Sequence, residues 1–264
     1  MPTSTQNAHA IYVYGFIAMP LGHPQHAMPL LGVDAQYPIC VHSHAGLNVL
    51  VSWVELADFT GEVGENNLQN VGWITPRACR HAAVIDHFRQ QTTVYPLSFG
   101  TLFSSLETLE QEICYRVPAI LAALEHIADC QEWSLEVTLN RAQAVEILFN
   151  EGVENGRFLL PDSMGRRHLE EQKLRRQVQS ELNHWLEGCL IAWQTELQSF
   201  ARDFRSRRCT DDKILHWVFL ITQANDRLFH ETLAAFREHY QRYGFQFRIT
   251  GPWAAYSFCQ KAHR

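Results

Sequence analysis

The feature that most constrains the fold is an apolar stripe over residues 164–207. Its large hydrophobic side chains follow one another at steps of three, four or one residues, which places them on one broad face of an α-helix. A helix of this length exceeds the ordinary globular range, so we predict that it packs along another long helix or protrudes as a coiled-coil-like hairpin. The stripe consists of Leu174, Val178, Leu182, Trp185, Leu186, Cys189, Leu190, Trp193, Leu197, Phe200 and Phe204.

Segments rich in β-branched and aromatic residues predict strands on both sides of this helix. Pro96 lies inside one of them. Because proline cannot donate a ladder hydrogen bond, we expect that strand at a sheet edge or at a bulge. The order of strands and connections indicates an antiparallel α+β fold. The predicted strands are residues 10–18, 37–42, 47–54, 92–99, 133–139, 214–222 and 245–250.

Capping residues and periodicity locate the other helices. Thr75 followed by Pro76 predicts a helix start, after residues 55–71, which we predict to be a loop with at most short helical turns. A second apolar stripe predicts a helix over residues 102–130 with a kink at Pro118. Two shorter helices are predicted over residues 140–150 and 225–243.

Composition bounds the number of domains and the class of partner. At roughly 150 residues per domain, 264 residues predict one or two domains, and we divide the chain into residues 1–100 and 101–264. The net charge of −6 argues against generic binding to nucleic acid or to a lipid membrane. Seven cysteines without a CxxC pair, after a polar start without a signal peptide, predict reduced, mostly buried thiols in a cytoplasmic protein.

The segment CVHSHAG is a candidate metal site. Cys40, His42 and His44 alternate along a predicted strand and share one face, where they could hold zinc together with His23 and His26. The spacing does not follow a standard zinc pattern, and His44 falls in the predicted turn. We therefore interpret the segment as a surface turn with a buried cysteine, and we expect no metal site and no cofactor.

Other candidate chemistry lacks a complete motif. Cys79 near a helix start, followed by His81 and His87, is a candidate nucleophile. The chain has no GxSxG, GxxxxGK[ST] or GxGxxG motif, and helix packing is the favoured interpretation. Arginines at 166–167, 175–176 and 205–208 could contact RNA, but interleaved glutamates indicate a solvated helix face. A small-molecule enzyme on the first domain and a nucleic-acid-binding module are the alternatives to a binding or assembly role.

Five stretches resemble, in order and spacing, segments of the gas vesicle accessory proteins F and L. GPWAAYSF, residues 251–258, resembles the family's C-terminal GPWPPYSF signature. VYPLSFGTLF, residues 94–103, resembles its VLPLRFGTVF segment. The other three stretches are IYVYGFI at 11–17, Glu132-Trp133 followed by Leu135 and Val137, and GRFLL at 156–160.

The resemblance implies both a fold and a role. It implies an N-terminal modified ferredoxin-like domain and a C-terminal α+β domain with a long helical excursion. It also implies a minor protein of gas vesicle formation, without enzyme activity or cofactor, located at the gas vesicle. The implied partners are the hydrophobic shell subunit and other accessory proteins. The protein would bind them and help to nucleate or assemble the vesicle. Ser98 replaces the family's usual arginine, and Ala254-Ala255 replace two prolines, so the arginine's contact and the rigidity of the tail are in doubt.

Aromatic residues so close to the end of the chain predict an anchor or a partner-binding surface. The glycine of the GPW turn permits a bend, the proline fixes it, and the aromatic side chains then fold back over the core. The tryptophans of the long helix could receive an apolar subunit, although core packing is the favoured interpretation. The candidate residues are Gly251, Pro252, Trp253, Tyr256, Phe258, Pro96, Phe99, Gly100, Trp133, Trp185 and Trp193.

Overall fold

The computed structural model describes residues 9–18, 30–209 and 213–259. This part of the chain mixes strands and α-helices with 3-10 turns at Leu56–Asp58 and Gln241–Tyr243. The strands are β1 (His9–Ile17), β2 (Cys40–His44), β3 (Leu47–Glu55), β4 (Val94–Pro96), β5 (Leu102–Phe103), β6 (Cys130–Leu139), β7 (Ala201–Ser206), β8 (Lys213–Thr222) and β9 (Phe245–Trp253). The helices are α1 (Gly61–Gln69), α2 (Val71–Arg89), α3 (Leu106–Ile127), α4 (Arg141–Glu154), α5 (Met164–Gln198), α6 (Asp226–Tyr240) and α7 (Tyr256–Cys259).

These elements form two compact units. Of the described residues, unit 1 comprises those up to Gln131 together with those from Trp253 onward, and unit 2 comprises those from Glu132 to Pro252. Unit 1 therefore contains α3 and the C-terminal segment, both of which the sequence analysis assigned to a domain beginning at residue 101. Each unit is built around one antiparallel sheet.

The sheet of unit 1 has the order β2-β3-β1-β4, and β5 also pairs with β1. All residues of β1 except His9 are buried. Since successive side chains of a strand point to opposite faces, β1 is covered on both sides. Where β1 meets β4, a Cβ atom on Gly15 would lie 2.4 Å from the Tyr95 carbonyl oxygen, so this position requires a residue without a side chain. β4, which contains Pro96, lies at the end of the main strand order.

Helices α2 and α3 both contact the unit 1 sheet. Val84 and Ile85 of α2 pack against Ala10, Tyr12 and Tyr14 of β1. Helix α3 contacts β1, β3 and β4, and Ser105 caps its start in a capping box with Thr108. Strand β2 lies at the opposite end of the main strand order from β4 and has no fully buried residue.

The sheet of unit 2 has the order β7-β8-β6-β9. Asn140 accepts a hydrogen bond from the Gln143 N–H and caps α4, as the sequence predicts. Gly244 takes a left-handed conformation after the final helical turn, again as predicted. The core is largely aromatic, with side chains from α5, α6 and the sheet. It includes Trp193, Trp217, Phe219, Phe229, Tyr243 and Phe245.

Several predicted element boundaries are wrong. The helix predicted over residues 102–130 spans only Leu106–Ile127, and Leu102–Phe103 form β5. Helix α5 ends at Gln198, and the residues after it form β7 instead of further helical turns. Phe200 and Phe204 continue the four-residue spacing of the stripe. Positions four apart share one face of a strand as well as of a helix, so the spacing alone could not distinguish a strand from a continued helix. Helix α2 begins at Val71 rather than at Thr75. Residues 61–69, predicted as a loop, form α1.

The expectation of mostly buried cysteines is also wrong. Only Cys259 is buried. Cys40, which the sequence analysis placed inside the protein, is exposed, as are Cys79 and Cys114. Among the residues described, none of the helices combines the length and the apolar character that a membrane crossing requires.

Candidate functional site

The C-terminal turn begins at Gly251, where the backbone φ is 142°, a value that other residues rarely adopt. Space is also limiting, because a Cβ atom there would lie 2.6 Å from the Trp133 ring and 2.8 Å from the Glu132 carbonyl oxygen. The Trp133 Nε1–H donates a 2.9 Å hydrogen bond to Asp226 Oδ1. The glycine of the GPW motif therefore lies against the EW motif within unit 2.

The segment after this turn packs into unit 1. Ala254 is buried in the core cluster formed by β1 and α2, and Tyr256 is half-buried against the same cluster. Phe258 is buried. The Tyr95 hydroxyl donates a hydrogen bond to the Cys259 carbonyl oxygen, which joins the segment to β4. The aromatic side chains that follow Ala254 therefore lie against the core.

Pro252 and Trp253 are placed differently from the residues that follow them. Both are exposed, and Trp253 keeps 51% of its surface accessible to solvent. A large aromatic side chain with this exposure is a candidate contact for a partner. The GPW turn thus carries an exposed tryptophan and leads into a buried tail.

The segment VYPLSFGTLF contributes to a buried polar cluster in unit 1. Pro96 is buried at the end of β4. Gly100 has a left-handed φ of 84°, and its N–H donates a 3.1 Å hydrogen bond to the Tyr12 hydroxyl. The Phe99 ring packs against the rings of Tyr12 and His81, with centroid distances of 6.0 and 5.9 Å.

His81 connects this cluster to helix α2. Its Nδ1 accepts a 2.8 Å hydrogen bond from the Tyr12 hydroxyl, and its Nε2–H donates a 3.1 Å hydrogen bond to the Leu97 carbonyl oxygen. Burial lowers the pKa of His81 to about 4, against the opposing effect of the hydrogen bond to Leu97. Burial also raises the pKa of the Tyr12 hydroxyl. Both groups are therefore neutral at pH 7.

Tyr14 forms a second buried hydrogen-bond chain beside the first. Its hydroxyl accepts a 2.9 Å hydrogen bond from the Val33 N–H and lies 2.9 Å from Ser52 Oγ. Burial raises the pKa of Tyr14 to about 12. The sequence analysis did not identify this chain, because its members lie on separate elements and follow no spacing rule.

The two tryptophans of α5 lie in unit 2. Trp193 is 1% exposed, and its ring packs at 4.7 Å from Tyr240 and 4.9 Å from Phe245. Trp185 is half-buried and packs at 5.3 Å from the Tyr243 ring. This placement favours the core interpretation for both side chains.

Large apolar side chains are exposed near the junction of α4 and α5, which we call the hairpin end (residues 159–169). Leu159, Met164 and Leu169 are 83%, 88% and 68% exposed. Leu160, in contrast, packs against a buried cluster that includes Phe158. Three solvent-facing apolar side chains within eleven residues form a candidate surface for an apolar partner.

Two of the four arginines of α5 are paired with glutamates. Arg167 and Arg175 both pair with Glu171, and Arg175 also contacts Glu146 at 2.8 Å. Arg157, just before the helix, pairs with Glu181. This pairing is typical of a solvated helix face and disfavours the nucleic-acid-binding alternative.

His42 and His44, singled out in the sequence, lie together and face Glu110 of α3. Cys40 is exposed and is not part of this group, and His23 and His26 lie outside the described residues. Within the described ranges, this is the one group of three His, Cys, Asp or Glu side chains arranged to hold a metal ion. The sequence analysis missed Glu110 because α3 is far from β2 along the chain.

Cys79 and the histidine pair were candidates for catalytic roles in a small-molecule enzyme. Cys79 is exposed on α2. A pocket of unit 1 is lined by residues such as Ile17, Leu47 and Leu124, and contains neither Cys79 nor the histidine pair.

The fold and these sites define a class of protein: a mixed helix and sheet chain with two antiparallel sheets, a long helix and a C-terminal segment packed into unit 1. A family model described as gas vesicle synthesis protein GvpL/GvpF matches residues 10–260. Because this match spans most of the chain, the protein belongs to the GvpL/GvpF family, whose members are gas vesicle proteins. The family resemblance carried by the five sequence stretches is thereby confirmed.

Solved structures support the same fold. The chain is similar to the crystal structure of the gas vesicle protein GvpF from Anabaena sp. PCC7120, with a TM-score of 0.69 and 17% identity over 97% of this chain and 98% of that one. It is also similar to GvpF from Microcystis aeruginosa, with a TM-score of 0.65 and 17% identity over 96% and 99% of the two chains. No curated protein matches.

Proposed function

We propose that this protein is a non-enzymatic assembly factor that binds the hydrophobic gas vesicle shell subunit and other accessory proteins. It would act at the gas vesicle in the cytoplasm and help to nucleate or assemble the shell. Family membership supports a role in gas vesicle formation. The single observation that supports subunit binding is the exposed apolar surface of the hairpin end.

The hairpin end suits an apolar partner for a physical reason. Leu159, Met164 and Leu169 are not buried in the core of unit 2, and most of their surface remains exposed to water. Burying such side chains against a partner removes apolar surface from water and stabilises the complex. The paired charges of Arg167 and Glu171 lie beside them and would form a polar rim.

The test is co-expression with the shell subunit, followed by capture of the tagged protein. Replacing Leu159, Met164 and Leu169 together by serine should lower subunit capture at least about tenfold, because each lost apolar contact weakens binding. The melting temperature should stay unchanged, since none of the three side chains is in the core.

The matched control is Val71→Ser with Ile191→Ser, which removes two exposed apolar side chains elsewhere. This control should capture the subunit as the unmodified protein does. Equal capture by the triple variant, or equal loss in the control, would refute the proposed surface. Expression of the triple variant in a strain that lacks the gene then tests assembly, and electron microscopy should show fewer vesicles.

Two finer structural features belong to the same proposal. The strand order of unit 1, β2-β3-β1-β4, supports a modified ferredoxin-like domain. The packing of α4 along α5 supports a coiled-coil-like hairpin that presents its end to a partner.

A further inference from the structure

Two histidines of strand β2 face one carboxylate of helix α3. His42 Nε2 lies 3.0 Å from Glu110 Oε1, and His44 Nδ1 lies 3.5 Å from the same oxygen. A set of three ligand atoms, one from each residue, falls within 4.8 Å of one another. All three side chains are partly buried, so an ion could reach them from solvent.

The fold explains this convergence. His42 and His44 are two residues apart on β2 and therefore project from the same face of the strand. Their rings lie nearly parallel, with 7° between the planes and 6.3 Å between the centroids. Glu110 lies in the first turns of α3, whose position against the sheet brings its carboxylate within 3.5 Å of a nitrogen of each ring.

The distances fit a tetrahedral ion. With metal–ligand bonds of about 2.0–2.1 Å, two ligands of a tetrahedral zinc ion lie about 3.3 Å apart. The His42–Glu110 and His44–Glu110 distances lie on either side of that value. Since one ligand atom from each of the three residues lies within 4.8 Å of the others, side-chain movements would bring the three atoms around one ion.

Cys114 completes the surroundings of His44. It lies one helical turn after Glu110, and its Sγ is 3.2 Å from His44 Nε2. His44 therefore directs one ring nitrogen at Glu110 and the other at sulfur. When Nδ1 binds a metal, Nε2–H can donate to Cys114 Sγ, which is the outer partner that a ligating histidine usually has.

From this geometry we infer a zinc-class divalent cation site formed by His42 Nε2, His44 Nδ1 and Glu110 Oε1, with Cys114 as the outer partner of His44. Two imidazoles and one carboxylate favour Zn²⁺ and similar transition ions over Mg²⁺ or Ca²⁺, which prefer oxygen ligands alone. Three protein ligands leave a fourth position for water or a partner's side chain. The ion would join strand β2, at the end of the sheet, to helix α3.

The experiment is calorimetric titration of the full chain with zinc chloride after treatment with a chelator. One zinc ion per chain should bind. His42→Ala and Glu110→Gln should each lower zinc affinity at least about 100-fold, because even loss of an outer partner costs about 10–100-fold. Cobalt(II) should give the absorbance of a four-coordinate ion in the unmodified chain and not in either variant.

The control is His184→Ala. His184 lies 4.0 Å from Glu187 on the solvent-exposed surface of α5, and no third ligand joins this pair within the described residues. This variant should bind zinc as the unmodified chain does. Cys114→Ser should keep one zinc ion per chain with affinity lowered about tenfold.

Several outcomes would overturn the site. These are no stoichiometric zinc binding by the unmodified chain, undiminished affinity in His42→Ala and Glu110→Gln, or an equal loss in His184→Ala. Circular dichroism and melting curves without metal show whether each variant is folded. If His42→Ala does not fold, Glu110→Gln alone decides, since it changes one atom and keeps the side-chain volume.

Discussion

Unit 1 and unit 2 arrange their strands in the same order. Counting along each unit, the second strand lies at one end, followed by the third, the first and the fourth: β2-β3-β1-β4 in one and β7-β8-β6-β9 in the other. The connections differ, because unit 2 places α4 and the 35-residue α5 between its first and second strands. A connection can grow in this way because the entropic cost of closing a loop rises slowly with its length.

The two units also differ in what they bury. Unit 1 encloses polar groups, with the chain Tyr12–His81–Leu97 and the hydroxyl of Tyr14 between β1 and its neighbours. Unit 2 encloses a cluster of aromatic rings around Trp193. The same strand order therefore does not decide the chemistry of a core. We expect unit 2 to respond most strongly to lost volume and unit 1 to protonation.

The largest expected effect is the loss of stability when Trp193 is replaced by alanine. Trp193→Ala removes a fully buried ring from the centre of unit 2 and should lower the free energy of unfolding by about 3–5 kcal/mol. Ile191→Ala, on the exposed side of the same helix, is the control and should change stability by less than about 0.5 kcal/mol. Because two units need not unfold together, hydrogen exchange read by mass spectrometry should localise the loss to unit 2. An equal loss of hydrogen-exchange protection in both units would contradict the independent unfolding of unit 2.

The next effect is the response of unit 1 to acid. The folded pKa of His81 is about 4, below its ordinary value of 6.5, so between these values the unfolded chain binds more protons than the folded chain. Stability should therefore fall as the pH drops from about 6.5 to about 4, by about 3 kcal/mol, and this contribution should be constant above that window. Urea unfolding at several pH values measures it.

His81→Gln is the matched variant, since it removes the titrating ring and keeps a polar side chain. Its stability should depend less on pH across the same window. His216 in unit 2 also has a pKa lowered by burial, so the difference between the variant and the unmodified chain isolates His81. Parallel pH curves for the two proteins would show that His81 does not control the response.

The sequence predicted those parts of each unit that depend on local signals. A continuous apolar run located β8, alternation located β9, the capping candidate Asn225 located the start of α6, and the five motifs identified the family. Predictions were wrong where packing overrode local preference. Residues 61–69 looked like a loop because of their glycines and asparagines, yet they form α1, in which Gly64 is buried.

The candidate sites were harder to predict for a related reason. Tyr12 and His81, or His42 and Glu110, are brought together by the sheet, and more than sixty residues of chain separate each pair. No short spacing marks such a pair. The exposed side chains of the hairpin end were missed because Leu159 and Leu160 are identical residues in a loop, and only packing against Phe158 separates the buried one from the exposed one.

The smallest expected effect is the loss of stability when one tyrosine hydroxyl is removed from each unit. Tyr14→Phe leaves the buried Val33 N–H without its acceptor and should lower the free energy of unfolding by about 1–3 kcal/mol. Tyr243→Phe in unit 2 removes a 2.8 Å hydrogen bond to Glu151, whose carboxylate is 30% exposed and can bind water instead. That change should cost only about 0.5–1 kcal/mol. Urea unfolding with hydrogen exchange measures both, and a larger loss for Tyr243→Phe would contradict the contrast between the buried Tyr14 hydroxyl and the Tyr243 hydroxyl, whose partner is partly exposed.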